Sequence, residues 1–122
     1  MGLTPALFAL LNVVDARDRA TQQELGALLG IDRSTMVSLV DQLESAGLAK
    51  RRASATDRRV RQISITPKGR RRLQRARELI SEVEDEVLAG LGTEERRDLM
   101  TLLRRALDAS PPQPLWSSAE GD

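Results

Sequence analysis

The sequence has no cysteine and no histidine, and only 2% of its residues are aromatic. Without cysteine it can form no disulfide, thiolate metal site or thiol-based redox sensor. Without histidine as well, zinc binding and His-dependent acid–base catalysis have nothing to work with. So few aromatic rings mean that a core must be assembled from Leu, Val, Ile and Ala. No apolar run approaches the roughly 20 residues needed to cross a bilayer. The opening Met1-Gly2-Leu3-Thr4-Pro5 lacks the basic segment of a secretory signal. A soluble, cytoplasmic chain is expected. At 122 residues it can bury a modest core with little to spare.

What the sequence does have is charge, arranged in blocks. The net charge is only +1. Yet Met1 to Ala49 sums to −3, Lys50 to Arg77 to +11, and Glu78 to Asp122 to −7. A basic block between acidic ones is the footprint of a local phosphate contact, where Lys and Arg displace condensed counterions. The carboxylates Glu82, Glu84, Asp85 and Glu86 read as the solvated face of a helix, since no nucleophile or metal partner lies near them. No enzyme is expected.

Local signals divide the chain. Thr4-Pro5 pairs an N-cap with proline at the first helical position, and Leu7, Leu10, Leu11 and Val14 recur at helical spacing to about Asp15. Asp15 to Ala20 reads as a connection. Thr21-Gln22-Gln23-Glu24 is a capping box opening a helix with Leu25, Leu28 and Leu29 as its buried stripe and Gly30 at its end. Asp32 caps the next helix, whose inward positions are Met36, Leu39, Val40 and Leu43, with Gly47 as the left-handed residue beyond it. The short turn from Gly30 to Asp32 is that of a helix-turn-helix. Leu48 to Arg52 and Val60 to Ile65 read as two strands joined by the small, polar loop Ala53 to Arg59. Thr66-Pro67 opens a long helix running to about Leu91, and Gly92-Thr93-Glu94-Glu95 caps a last one with Leu99, Leu102, Leu103, Ala106 and Leu107 on one side. No internal repeat is present.

The expected fold is therefore mainly α with a small β-hairpin wing. It comprises a winged helix-turn-helix lobe over 1–66, dimerisation helices over 67–109 and a disordered tail over 110–122. Such a unit places one helix in the DNA major groove and a charged hairpin beside it. With its apolar positions turned inward, the second helix of the helix-turn-helix presents Arg33, Ser34, Thr35, Val37 and Ser38, with Asp41 and Gln42 further along. The hydroxyls suit phosphates or base edges, Val37 suits a thymine methyl, and Arg33 suits phosphate or guanine. Asp41 and Glu44 lie too far along the helix for DNA and would be repelled by it. In the hairpin, Arg51, Arg58, Arg59 and Arg61 are the candidate DNA contacts. Apolar positions at Leu73, Leu79, Ile80, Val83 and Val87, with those of the last helix, exceed what two helices can hide from each other, so a two-fold homodimer is expected. The alternative is a winged helix used only as a protein-interaction module, without specific DNA binding.

These residues resemble MarR-type transcriptional regulators. Leu3-Thr4-Pro5, Thr21-Gln22-Gln23-Glu24-Leu25, Asp32-Arg33-Ser34-Thr35, Leu39-Val40-Asp41-Gln42-Leu43-Glu44, Gly47-Leu48, Arg51-Arg52, Asp57-Arg58-Arg59 and Ile65-Thr66-Pro67-Lys68-Gly69 fall in that family's order and spacing. The resemblance spans about Leu3 to Leu107. It implies a homodimer on a palindromic operator, usually a repressor released by a small ligand, often a phenolic or other aromatic acid, with no cofactor. It also implies that Arg59 enters the minor groove and that Asp57 helps hold the wing. The family usually carries a further helix before the segment matching Leu3 to Asp15, paired with the C-terminal helices. Either that helix lies outside this sequence or the dimer is built from 78–109 alone. Arginine often stands at the position of Ser38 and threonine at that of Val37, so base readout here is expected to be weaker or different.

Overall fold

A computed structural model describes residues 3–109. The expected tail over 110–122 lies outside them. Three helices come first in the lobe: α1 (Pro5–Ala16), α2 (Gln22–Leu29) and α3 (Arg33–Ser45). Each begins at a side-chain cap. Thr4, Thr21 and Asp32 accept from the amides of Leu7, Glu24 and Thr35 respectively, answering donors that a helix start leaves unpaired. In the capping box at α2, the Glu24 carboxylate accepts from the Thr21 hydroxyl at 3.0 Å. Gly30 and Gly47 follow the second and third helices with φ of 66° and 75°, the left-handed conformation that a side chain resists.

Three strands complete the lobe: β1 (Ala20–Thr21), β2 (Ala49–Ala53) and β3 (Arg61–Ile65). They form an antiparallel sheet in the order β1-β3-β2. The register pairs Ala20 with Ile63 on one side of β3 and Arg51 with Ile63 on the other. The sequence predicts a plain connection from Asp15 to Ala20. In fact α1 ends at Ala16 and the chain then places Ala20 in the sheet. Two residues are too few for an alternating pattern to register, and burial of Ala20 beside Ile63 is what selects them.

The core is built from Leu10, Leu11, Val14, Leu25, Met36, Val40, Leu43, Ile63 and Leu73, all nearly or fully excluded from water. Leu28, expected inside, is 49% exposed. The buried face of α2 is instead Leu25 and Gly26. A Cβ on Gly26 would stand 3.0 Å from the Ile31 carbonyl oxygen, so the helix turns its bare backbone to the turn that follows.

Two further helices leave the lobe: α4 (Pro67–Val87) and α5 (Thr93–Ala109). Thr66 sets the angle at which α4 departs. Its amide donates to the Leu48 carbonyl at 3.1 Å, its hydroxyl donates to the Gly47 carbonyl at 2.6 Å, and its oxygen caps the Gly69 amide at 3.0 Å. Gly69 is then obligatory, because a Cβ there would lie 2.0 Å from the Leu48 oxygen. Leu73, one turn on, is the last side chain α4 gives to the core. The helix stops at Val87 rather than near Leu91. From Ala89 the backbone tightens to three-residue bonds, Ala89 to Glu86 and Leu91 to Leu88, around Gly90. Glu95 reaches back to the Gly92 amide at 2.9 Å, and Arg96 ties the start of α5 to Asp85 at 2.8 Å. No residue of α5 is buried.

Candidate nucleic-acid interface

The outer face of α3 carries Arg33, Ser34, Val37 and Ser38 in solvent, with Thr35 half-buried. Asp32 organises its first turn, accepting from the Thr35 amide at 3.1 Å and from the Ser34 hydroxyl at 2.8 Å. Ser34 thus commits its hydroxyl hydrogen to a structural partner, while its oxygen can still accept. Gln42 leans toward the Ser38 oxygen, Nε2 to Oγ 3.5 Å. Asp32, Arg33, Ser34 and Val37 line a shallow recess at this end of the helix.

The wing is wired through its backbone. Ser54 donates its amide to the Val60 carbonyl at 2.9 Å, closing the loop at its base. At the tip the Asp57 carboxylate accepts from the Arg59 amide at 3.0 Å, and the Asp57 carbonyl accepts from Val60 at 3.1 Å. An Asx bond of this kind fixes a tight turn with no help from a sheet. It also occupies the loop's one carboxylate with backbone. Among the described residues, no carboxylate pairs with Arg58 or Arg59, and both are exposed. Arg61 folds one guanidinium nitrogen onto the Arg58 carbonyl at 3.3 Å.

Arg51 is placed differently from the other candidates. It rises from the middle of β2 and turns toward α3, with its side chain only 20% exposed. Its Nη1 meets Asp41 at 2.6 Å and Glu44 at 3.1 Å, its Nη2 donates to the Val37 carbonyl at 3.1 Å, and its Nε donates to Gln22 at 3.3 Å. Its backbone amide donates to the other Glu44 oxygen at 3.0 Å. The acids read from the sequence as merely repelled by DNA therefore have a task, and Gln22 was not foreseen at all. Only the i, i+3 spacing of Asp41 and Glu44 hinted at a shared partner.

A second charged cluster joins α1 to α4. Asp15 pairs with Arg70 at 3.6 Å and with Arg77 at 3.5 Å, and Arg77 also donates to the Asn12 amide oxygen at 2.7 Å. Asp15, Arg70, Arg71, Gln74, Arg75, Arg77 and Glu78 line an open cleft there. Among the described residues, no group of three or more His, Cys, Asp or Glu could hold a metal, and no helix is long and apolar enough to cross a membrane.

A helix-turn-helix with a reading face open to solvent, flanked by a hairpin carrying unpaired arginines, defines a winged helix-turn-helix protein. Comparison with known proteins gives the family. A family model described as MarR family matches residues 1–60. A protein of Thauera aromatica assigned to transcriptional regulation of the hcr operon is 36% identical over 85% of this chain, which spans 63% of that protein's length. The transcriptional repressor CouR, solved on a 23-mer DNA duplex, is 38% identical with a TM-score of 0.76, over 85% of this chain and 74% of CouR. The regulator PcaV of Streptomyces coelicolor, solved with its natural ligand, is 30% identical with a TM-score of 0.70, over 88% of this chain and 76% of PcaV. A crystal structure of MarR shares the fold at a TM-score of 0.78 with 22% identity. The chain belongs to the MarR family.

Proposed function

We propose that this chain is a sequence-specific DNA-binding transcriptional regulator, acting as a homodimeric repressor on a palindromic operator. The observation that carries this reading is the joint presentation of two complementary surfaces by one lobe. The outer face of α3 offers Arg33, Ser34, Val37 and Ser38 to solvent, residue types suited to base edges and phosphates, while the Asp57-braced tip offers Arg58 and Arg59 with no carboxylate partner among the described residues. Similarity to CouR, a repressor solved on duplex DNA, supports it. In this reading residues 1–66 form the DNA-binding lobe and residues 67–109 the dimerisation helices. Two recognition helices then address half-sites about one DNA turn apart.

Release by a small anionic effector completes the proposal. The cleft between α1 and α4 is rimmed by Arg70, Arg71, Arg75 and Arg77, and Asp15 and Glu78, the latter paired with Arg75 at 3.7 Å, neutralise only part of that charge. A carboxylate on an aromatic or phenolic acid suits such a rim. PcaV, which binds a natural ligand, gives the analogy.

The test is binding of the full chain to a duplex pool, followed by fluorescence anisotropy on the selected sequence and on a scrambled one across a salt series. Preference for the selected sequence is expected, with affinity falling steeply as salt rises. Equal, salt-insensitive binding to both duplexes would remove the operator from the proposal and leave a protein-interaction module. Within the reading face, Ser38→Ala is expected to change the preferred sequence more than it changes binding to scrambled DNA.

A further inference from the structure

We propose that Arg51 is a positioning residue that sets the phase of the wing against the recognition helix, and so fixes operator specificity without itself touching DNA. The inference rests on the DNA-binding reading above.

Among the described residues, Arg51 is the side chain whose hydrogen bonds join β2 to both helices of the helix-turn-helix. Its partners are not interchangeable. Asp41 and Glu44 fix it along the second half of α3, and the Val37 carbonyl fixes it to the turn whose side chain faces outward. Gln22 brings in the first residue of α2. A guanidinium presents its donors in a rigid planar fork, so meeting these acceptors together dictates an angle as well as a distance. Glu44 adds a second constraint by holding the Arg51 amide on the free edge of β2. The same β2 leads directly into the tip that carries Arg58 and Arg59. A tilt of the hairpin would move that tip along the DNA while α3 stayed in its groove. Two surfaces reading adjacent grooves succeed only when their separation matches that of the DNA, and the Arg51 bracket fixes that separation.

The charge balance favours this role over a phosphate contact. Arg51 spends its charge on two carboxylates at 2.6 and 3.1 Å, whereas Arg58 and Arg59 meet no acid among the described residues. To reach a phosphate, Arg51 would have to abandon both acids and leave them facing the DNA.

The two roles predict opposite outcomes. Arg51→Lys keeps the charge but replaces the fork with a single point donor. As a positioning residue, Arg51 should make this variant lose about tenfold or more in affinity for the selected operator, with scrambled duplex and the salt slope unchanged. Arg59→Ala should also cost less in the Arg51→Lys background than in the wild type, because a wing out of phase has less contact to lose. A purely stabilising role would leave the two effects additive in folded protein. The double variant Asp41→Asn, Glu44→Gln gives an independent arm and retains Arg51. It removes two negative charges near DNA, so a phosphate-contact role predicts tighter binding, whereas the positioning role predicts lost preference for the operator. Should Arg51→Lys fail to fold, this double variant carries the test alone. Full activity of Arg51→Lys, or tighter operator binding by the double variant, would overturn the inference. Wild-type protein that binds no duplex would instead overturn the DNA-binding reading and this inference with it.

Discussion

Among the described residues every buried apolar side chain lies between Leu7 and Leu73, whereas Leu79, Ile80, Val83, Val87, Leu102, Leu103 and Leu107 stand between 42% and 74% exposed. Both regions are helical and both carry regular apolar stripes, so secondary structure does not separate them. What differs is whether the stripes find one another. In the lobe, α1, α2, α3 and the sheet converge on Leu11, Met36 and Ile63. Beyond Leu73, α4 runs out of lobe to cover, and among the described residues α5 is fastened near its start, through Arg96. The lobe buries most of its apolar surface, Leu28 and Val37 excepted, while the C-terminal helices leave theirs exposed. Exposed apolar positions of this kind suit an interaction site, and a second copy of the same helices is the proposed partner.

The sharpest way to break this contrast is Leu103→Glu. If the C-terminal stripes pair across a two-fold axis, each dimer gains two buried unpaired charges. The expected loss is about 3–5 kcal/mol per site, enough to abolish dimers at micromolar concentration. Operator affinity should fall with it, while the helix content of the lobe is retained. Sedimentation and circular dichroism report the two sides separately. A variant still dimeric and still bound to operator would show that this stripe is not the interface.

The converse substitution is Leu43→Ala, deep in the lobe at 1% exposure. Loss of its packing should cost about 2–5 kcal/mol in urea unfolding. Because the damage lies within one chain, the loss should persist when protein concentration is changed. A concentration-dependent loss would mean that lobe and dimer fold as one unit.

The next step down concerns the wing. Arg59→Ala is expected to weaken operator binding by about 1–3 kcal/mol while leaving the melting temperature unchanged. The asymmetry follows from geometry, since the Arg59 amide, not its side chain, holds the turn through Asp57. Asp57→Ala should do the reverse in part, loosening the tip and lowering affinity with every arginine still present. Equal affinity for wild type and Arg59→Ala would remove the side chain from the interface.

Most of the helical framework was legible because its signals are local. Caps at Thr4, Thr21, Asp32 and Thr66 announce themselves within three residues, and the stripe Met36, Leu39, Val40, Leu43 repeats at one period. Three features were not legible, each for a physical reason. β1 is two residues long and exists only because β3 offers Ala20 a partner. Leu28 follows the helical period, yet it is displaced because Gly26 allows a closer approach than any side chain would. The bracket around Arg51 leaves no local signal, because its partners lie 7 to 29 residues away and only the folded lobe assembles them. Composition reveals that charge is concentrated here; it does not reveal which charges have already been answered.

The smallest effect tests the joint between the two regions. Thr66 stands where the sheet ends and α4 begins, and its side chain works in two directions. Its oxygen caps the Gly69 amide, and its hydroxyl hydrogen goes to the Gly47 carbonyl, at the turn that closes α3. Thr66→Ala removes both bonds and should cost about 1–2 kcal/mol of stability, within the range of helix-cap losses. Thr66→Ser keeps the hydroxyl and should recover most of that loss. The more informative readout is operator affinity in the folded alanine variant. If α4 carries the dimer axis and Thr66 fixes its angle to α3, then loosening this joint should widen the spread of half-site spacings the dimer accepts. Duplexes with one base pair inserted or deleted between half-sites should then be discriminated less sharply by Thr66→Ala than by the wild type. Undiminished discrimination would place the rigidity elsewhere, in the packing of Gly69 against the Leu48 carbonyl, where there is no room for a Cβ.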